Sequence, residues 1–212
     1  MQTLALVGAT GRLGGHVLHE ALRRGGWVVR ALVREPAALP VREGLVVVRG
    51  DVRDATAVAA LLQSADALVS CLGTRRGREA HEVLAEGMAI LVRALAPGPV
   101  PLVAVASAGI LDAPGGGLRR DAPGYPAAFR AGSAQHLQAW RTLGASGLPH
   151  TLVCPPELVE GPRDQPLQVL RDVLPPGPKR VSMPALAAWM LDEARRPAHA
   201  GHRVGINNGP QA

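Results

Sequence analysis

Apolar positions along this chain recur with two periods that take turns. Runs rich in Val, Leu and Ala, bounded by Gly, Pro or Asp, occupy 1–7, 27–33, 45–49, 66–71, 101–106, 150–154 and 202–206. Short runs of this kind read as strands buried on both faces. Between them Leu13, Val17, Leu18 and Leu22 fall at helical spacing over 13–24. Val83, Leu84, Met88, Leu91, Val92 and Leu95 do so over 78–96, which is the pattern of one apolar helix face. Further helices are predicted at 55–63, 127–145 and 184–195, with a short one near 165–173. Asp54 and Ser182 stand where N-caps are needed, and Gly25-Gly26 and Gly147 where helices stop. Strands alternating with helices predict an α/β fold with a mostly parallel sheet, and 212 residues suit a single domain.

The first strand runs straight into Gly8-Ala9-Thr10-Gly11-Arg12-Leu13-Gly14. Glycines are needed where a turn doubles back, lets backbone N–H groups approach a pyrophosphate and packs a helix on a strand without a Cβ between them. The positive end of the helix then faces the phosphates. A lone glycine turn also joins ordinary strands to helices. Placed after the first strand of an alternating chain, it predicts a doubly wound, Rossmann-like dinucleotide-binding domain with helices on both faces.

Other strand ends extend this reading. Past the second strand an acidic residue would select NAD, whereas Arg34 suits the 2′-phosphate of NADPH, unless it is a solvated turn residue before Pro36. Asp51 is placed to accept from the adenine amino group, with Asp54 the better helix cap. Gly73 lets the backbone pass close to the ribose, and Arg75 adds charge. Ser107 ends the fifth strand at the sheet edge where ligands sit. The Gly/Pro-rich loop 109–126, centred on Gly115-Gly116-Gly117, would stand over the nicotinamide. Residues 107–126 would build the substrate side together with residues 155–200.

Composition narrows the partners. Hydrophobic residues make up 47% of the chain, but one Phe, one Tyr and three Trp leave few rings to hold a flavin, so a flavin is expected as substrate rather than prosthetic group. The net charge of +6 comes from scattered arginines, Lys179 being the only lysine. No basic block or basic-aromatic interleaving points to nucleic acid, and the charge equally favours a polyanionic cofactor. No run approaches the roughly 20 apolar residues of a membrane span. The short N-terminal apolar run argues against a secretory leader, so a cytoplasmic protein is expected, as monomer or homodimer. Cys71 and Cys154 sit in apolar runs and read as small buried hydrophobes. His16, His19 and His81 have no convincing metal-ligand partners, and no metal is expected.

The Gly-x-x-Gly-x-x-Gly turn and the order of elements resemble the atypical short-chain dehydrogenase/reductase superfamily. The Tyr-x-x-x-Lys pair of most members is absent, since Tyr125 is followed four residues on by Phe129. Gly8-Ala9-Thr10-Gly11, Leu32-Val33-Arg34, Gly50-Asp51-Val52, Leu72-Gly73-Thr74-Arg75, Ser107-Ala108, His136-Leu137, Ser146-Gly147-Leu148 and Cys154-Pro155-Pro156 are most similar to the biliverdin-IXβ reductase/flavin reductase group. The resemblance implies that Gly8, Thr10, Gly11, Arg12, Leu13 and Gly14 hold the pyrophosphate region and Arg34 the 2′-phosphate. Asp51 and Val52 would face adenine, and Leu72, Gly73 and Arg75 the ribose and phosphates. Pro155 and Pro156 would lie on the nicotinamide side, with Ser107 and His136 near the substrate. His136 would donate a proton or bind an anionic group. Glu157 stands where close relatives carry His, and it would repel a carboxylate-rich tetrapyrrole. The implied activity is hydride transfer from NADPH to a flavin or another small planar acceptor. The alternative is a non-catalytic NAD(P) sensor resembling the NmrA-like proteins, acting through a protein partner.

Overall fold

The computed structural model describes residues 1–74, 83–95 and 98–210. Its elements in chain order are β1 (Gln2–Val7), α1 (Arg12–Arg24), β2 (Trp27–Val33), β3 (Leu45–Arg49), α2 (Ala55–Leu61), β4 (Ala67–Ser70), α3 (Val83–Leu95) and β5 (Leu102–Val105). There follow α4 (Arg130–Gly144), β6 (His150–Cys154), β7 (Glu157–Val159), β8 (Leu167–Arg171), β9 (Arg180–Ser182), α5 (Met183–Arg195) and β10 (His202–Asn208). Eight strands form one sheet in the order β3-β2-β1-β4-β5-β6-β10-β8. Its pairings are parallel except that of β8 with β10. After β1 the chain winds outward through β2 and β3, then returns to the other side of β1 at β4. That reversal leaves a crevice above the carboxyl ends of β1 and β4, where ligands bind in open α/β sheets.

Alternation along the strands feeds two cores. Leu4 and Leu6 of β1 point into one, with Val17 and Ala21 of α1 and Leu186 and Met190 of α5. Ala5 and Val7 point into the other, with Val58 of α2, Leu91 of α3 and Leu143 of α4. Both faces of the sheet are therefore covered by helices, as expected of a doubly wound fold. Asp54 Oδ1 accepts from Thr56 N at 2.8 Å, and Ser182 caps α5, so both predicted N-caps hold.

Three expectations are corrected. Residues 165–173, read as a short helix, contain β8, which pairs antiparallel with β10 through Val169 opposite Ile206. Leu167 and Val169 pack on the first core, and the stretch is too short for a helix to beat the unpaired edge of β10. The chain past Pro155-Pro156 also adds β7 and β9, which form a separate two-stranded parallel sheet. Finally, the helix expected from 127 opens with a 3-10 turn, Ala127–Phe129, before α4 begins at Arg130.

The long loop after β5 is folded rather than irregular. Asp112 bridges Leu118 across a tight turn in which Gly116 and Gly117 take φ of 88° and 69°. Arg203 of β10 fastens that loop: its guanidinium donates to Ile110 O, to Asp112 Oδ1 at 2.8 Å and to Asp172 Oδ1 at 2.9 Å, and stacks 4.1 Å from the Trp140 ring centroid.

Candidate functional site

At the end of β1 the chain turns through Gly8, whose φ is 80°. A Cβ there would lie 2.7 Å from the Cys71 carbonyl oxygen, and one on Gly14 would overlap the Gly8 carbonyl oxygen. The turn therefore needs glycine at both positions. Gly11 N donates to Gly8 O at 2.9 Å, and Gly15 N closes the first intrahelical bond on Gly11 O at 2.8 Å. The amides of Arg12, Leu13 and Gly14 precede that bond, and Gly11 offers no side chain to cap them. An anion at this helix end would meet unspent N–H donors, so the site fits a pyrophosphate. Thr10, Gly11 and Arg12 are exposed on its rim, while Leu13 and Gly14 are buried beneath it.

The end expected to meet the adenosine holds three charges, Asp51, Arg53 and Arg34. Asp51, after β3, accepts from Arg53 N and Nε at 2.9 Å and from Nη2 at 3.1 Å. Hydrogen bonds from Arg53, with the charges of Arg53 and Arg34, hold the Asp51 carboxyl below its usual range. Most of its acceptor capacity is spent on Arg53, so the adenine contact expected of Asp51 is left with about one lone pair. Arg34, after β2, is exposed and donates to no group among the described residues. Beneath these charges Val52 is buried, and Gly87 of α3 makes room for it: a Cβ on Gly87 would lie 2.6 Å from Val52 Cγ1 and 3.4 Å from Leu72 Cδ1. Gly73 is exposed, with no protein atom within 4 Å of where its Cβ would stand. Arg75 and His81 lie outside the described residues. Arg53 and Gly87 were not singled out in the sequence, although Asp-x-Arg at 51–53 is a local signal for the first.

Across the crevice lies the end that the sequence predicts to face the substrate. Ser107 Oγ accepts from Gly109 N at 3.1 Å and caps the 3-10 turn Ala108–Ile110, leaving its hydroxyl proton free to donate. Pro155 is buried and Pro156 half-buried at the end of β6. His136 of α4 is 9% exposed, and burial pushes its imidazole down to about 4. It is neutral near pH 7, so the expected proton donation is corrected to a hydrogen bond from neutral imidazole. Burial likewise pushes the Cys71 thiol up to about 12 and raises that of Cys154, which keeps both inert. Tyr125 and Ser133 also reach this end: a Cβ on Gly109 would overlap Tyr125 Oη and lie 2.5 Å from Ser133 Oγ.

A cleft of about 640 Å³ shares Arg12 with the glycine turn but follows the flank of α1 past His16, His19, Arg23 and Arg163. None of the strand-end residues beyond Arg12 lines it. Its floor is structural. Burial alone would raise the Glu20 carboxyl, but hydrogen bonds from Arg23, Arg163 and Arg24 outweigh this and hold it well below the carboxylate range. Among the described residues no three metal-ligating side chains come together, and no helix is long and apolar enough to cross a membrane.

Solved structures share this architecture. A protein from Burkholderia pseudomallei is 26% identical, with a TM-score of 0.84, over 98% of this chain and all of that one. A Streptococcus pneumoniae protein described as an NADH-flavin reductase is 19% identical, TM-score 0.84, over 99% of this chain and 100% of its own. The anaerobilin reductase ChuY of Escherichia coli is 22% identical, TM-score 0.80, over 100% and 99%. The model of the NAD(P)H-binding family matches residues 8–197, from the first glycine of the turn to the end of α5. The chain belongs to the NAD(P)H-binding family, and a nicotinamide dinucleotide is the cofactor its strand-end crevice is built to take.

Proposed function

We propose that this chain is an NADPH-dependent reductase that passes hydride to a flavin or a similar planar acceptor without a Tyr-x-x-x-Lys pair. The likeness to a flavin reductase and to ChuY supports the reaction class. The observation that carries the choice of NADPH is Arg34, an exposed cation after β2 that makes no hydrogen bond or close ion pair among the described residues. When bound, NADPH supplies the hydride, and placement is most of what the protein must add.

In this reading Gly8, Thr10, Gly11, Arg12, Leu13 and Gly14 hold the pyrophosphate with backbone donors and one guanidinium. Arg34 pairs with the 2′-phosphate. Asp51, Val52, Leu72 and Gly73 line the adenosine half, and Pro155 and Pro156 close the nicotinamide side. Ser107 donates its hydroxyl proton towards the acceptor, and neutral His136 supports the wall behind it. A cytoplasmic location belongs to the same proposal. A non-catalytic sensor would share the cofactor half and differ only in lacking turnover.

The cofactor assignment is tested with Arg34→Ala. Loss of one charge-assisted contact to a phosphate is worth about 1.5–3 kcal/mol, so NADPH is expected to bind roughly 10- to 100-fold more weakly. NADH should change by less than about twofold, since no 2′-phosphate is there to lose. Equal weakening of both cofactors would contradict the assignment.

A further inference from the structure

The ends of β2 and β3 bring a carboxylate between two arginines. Val33 pairs with Arg49, and Gly50 N donates to Val33 O at 2.9 Å, so the two strands are stitched up to their last residues. Arg34 follows at once on one strand and Asp51 on the other. The Asp51 carboxyl is held below its usual range first by hydrogen bonds from Arg53, and further by the charges of Arg53 and Arg34. It therefore feels both cations.

It is committed to one of them. Arg53 Nε donates to Oδ1 at 2.9 Å and Nη2 to Oδ2 at 3.1 Å, a fork across both carboxylate oxygens. The local chain sets this choice. Arg53 N donates to Oδ1 at 2.9 Å and Asp54 N to Asp51 O at 2.9 Å, closing a turn that folds residue 53 back over residue 51. Gly50 fixes where the turn stands, since a Cβ there would overlap Ala57 Cβ on α2. The Glu86 charge on α3 adds to the hold on Arg53. Arg34 is left exposed, with no hydrogen bond or close ion pair among the described residues.

We infer that Arg53 is a specificity-determining residue: by occupying the Asp51 carboxylate it keeps Arg34 free for the 2′-phosphate of NADPH. This rests on the reading of Arg34 as the partner of that phosphate. Arg53 acts through Asp51 and Arg34, so it is a positioning residue. Without its fork Oδ2 loses its donor, and Arg34 is the cation that remains beside it. An Arg34 drawn onto Asp51 has fewer donors for a phosphate, and the pair offers it no net charge. A carboxylate released at this strand end can also accept from the ribose 2′-hydroxyl, the contact that favours NADH.

The test is equilibrium binding of NADPH and of NADH to the full chain, followed by nicotinamide fluorescence with no acceptor present. Arg53→Met removes the fork and leaves the residue 53 amide on Oδ1, and the Arg53 side chain is 47% exposed, so the turn is retained. NADPH is expected to bind at least about fivefold more weakly, the worth of one exposed ion pair. NADH should bind as before or more tightly, and Arg53→Lys should fall between. Asp51→Asn added to Arg53→Met leaves no carboxylate to capture Arg34 and is expected to restore NADPH affinity to within about twofold. Added to Arg34→Ala, Arg53→Met should cost NADPH nothing further. The inference is overturned by equal weakening of both cofactors, by no change in either, or by a loss that persists beside Asp51→Asn or adds in full to Arg34→Ala. Arg34→Ala alone separates this from the reading beneath it. Where it costs NADPH selectively and Arg53→Met does not, only the inference fails. Where it weakens both cofactors equally, the NADPH reading fails and takes the inference with it.

Discussion

His136 shows how burial decides what a residue can do. The resemblance implies a proton donor or anion ligand there, but burial pushes the side chain down to about 4, which favours the neutral imidazole over the imidazolium near neutrality. The same shift has a consequence for stability. The unfolded chain protonates His136 near 6.5, the native chain only near 4. Between those values the unfolded state binds more protons, so stability falls as the pH drops through that window. At pH 5 the loss is about 2 kcal/mol, or roughly 5 °C in Tm. Melting curves at pH 7 and pH 5 check this, and His136→Leu, which stays buried and does not titrate, is expected to flatten the difference. An unchanged difference in the variant would contradict the assignment. The glycine turn and the two N-caps were legible in the sequence because each depends on neighbours a few residues away. The Asp51–Arg53 pair is equally local, but the sequence reading gives Asp51 to adenine, and the structure pairs it with Arg53.

At the scale of elements, legibility follows the same rule. Strands β2, β3 and β6 start and end where the apolar runs do. β8 was misread because Leu167, Leu170 and Val173 also fit a helical spacing, and only its long-range pairing with β10 settles the choice. The loop after β5 was expected to be irregular because its organiser, Arg203, lies far along the chain. Removing one side of a nearly buried ionic cluster costs about 3 kcal/mol. Arg203→Met is therefore expected to lower Tm by roughly 10 °C. Asp112 N, bonded to Asp172 O at 2.8 Å, and Arg119 N, bonded to Leu111 O at 2.8 Å, should lose protection from hydrogen exchange first. Full protection at both amides in the variant would show that the loop is held by something else.

The whole molecule divides into a half that the sequence describes and a half that it does not. The cofactor half is built from strand ends on β1 to β4, each close in sequence to the turn that gives it a role. The half proposed to face the acceptor joins the loop after β5, the start of α4 and β10, so Tyr125 and Ser133 meet beside Gly109 only through folding. Tyr125 lacks a lysine four residues on, and sequence reasoning set it aside for that reason. The two halves meet over the carboxyl ends of β1, β4 and β5, where the reductase reading places hydride transfer. Steady-state NADPH oxidation, followed at the nicotinamide absorbance with FMN, FAD, riboflavin and a quinone as acceptors, tests that reading most directly. The account predicts turnover that depends on the acceptor and falls by about tenfold or more in Ser107→Ala. Tight NADPH binding with no turnover on any of these acceptors would contradict it and favour a sensor.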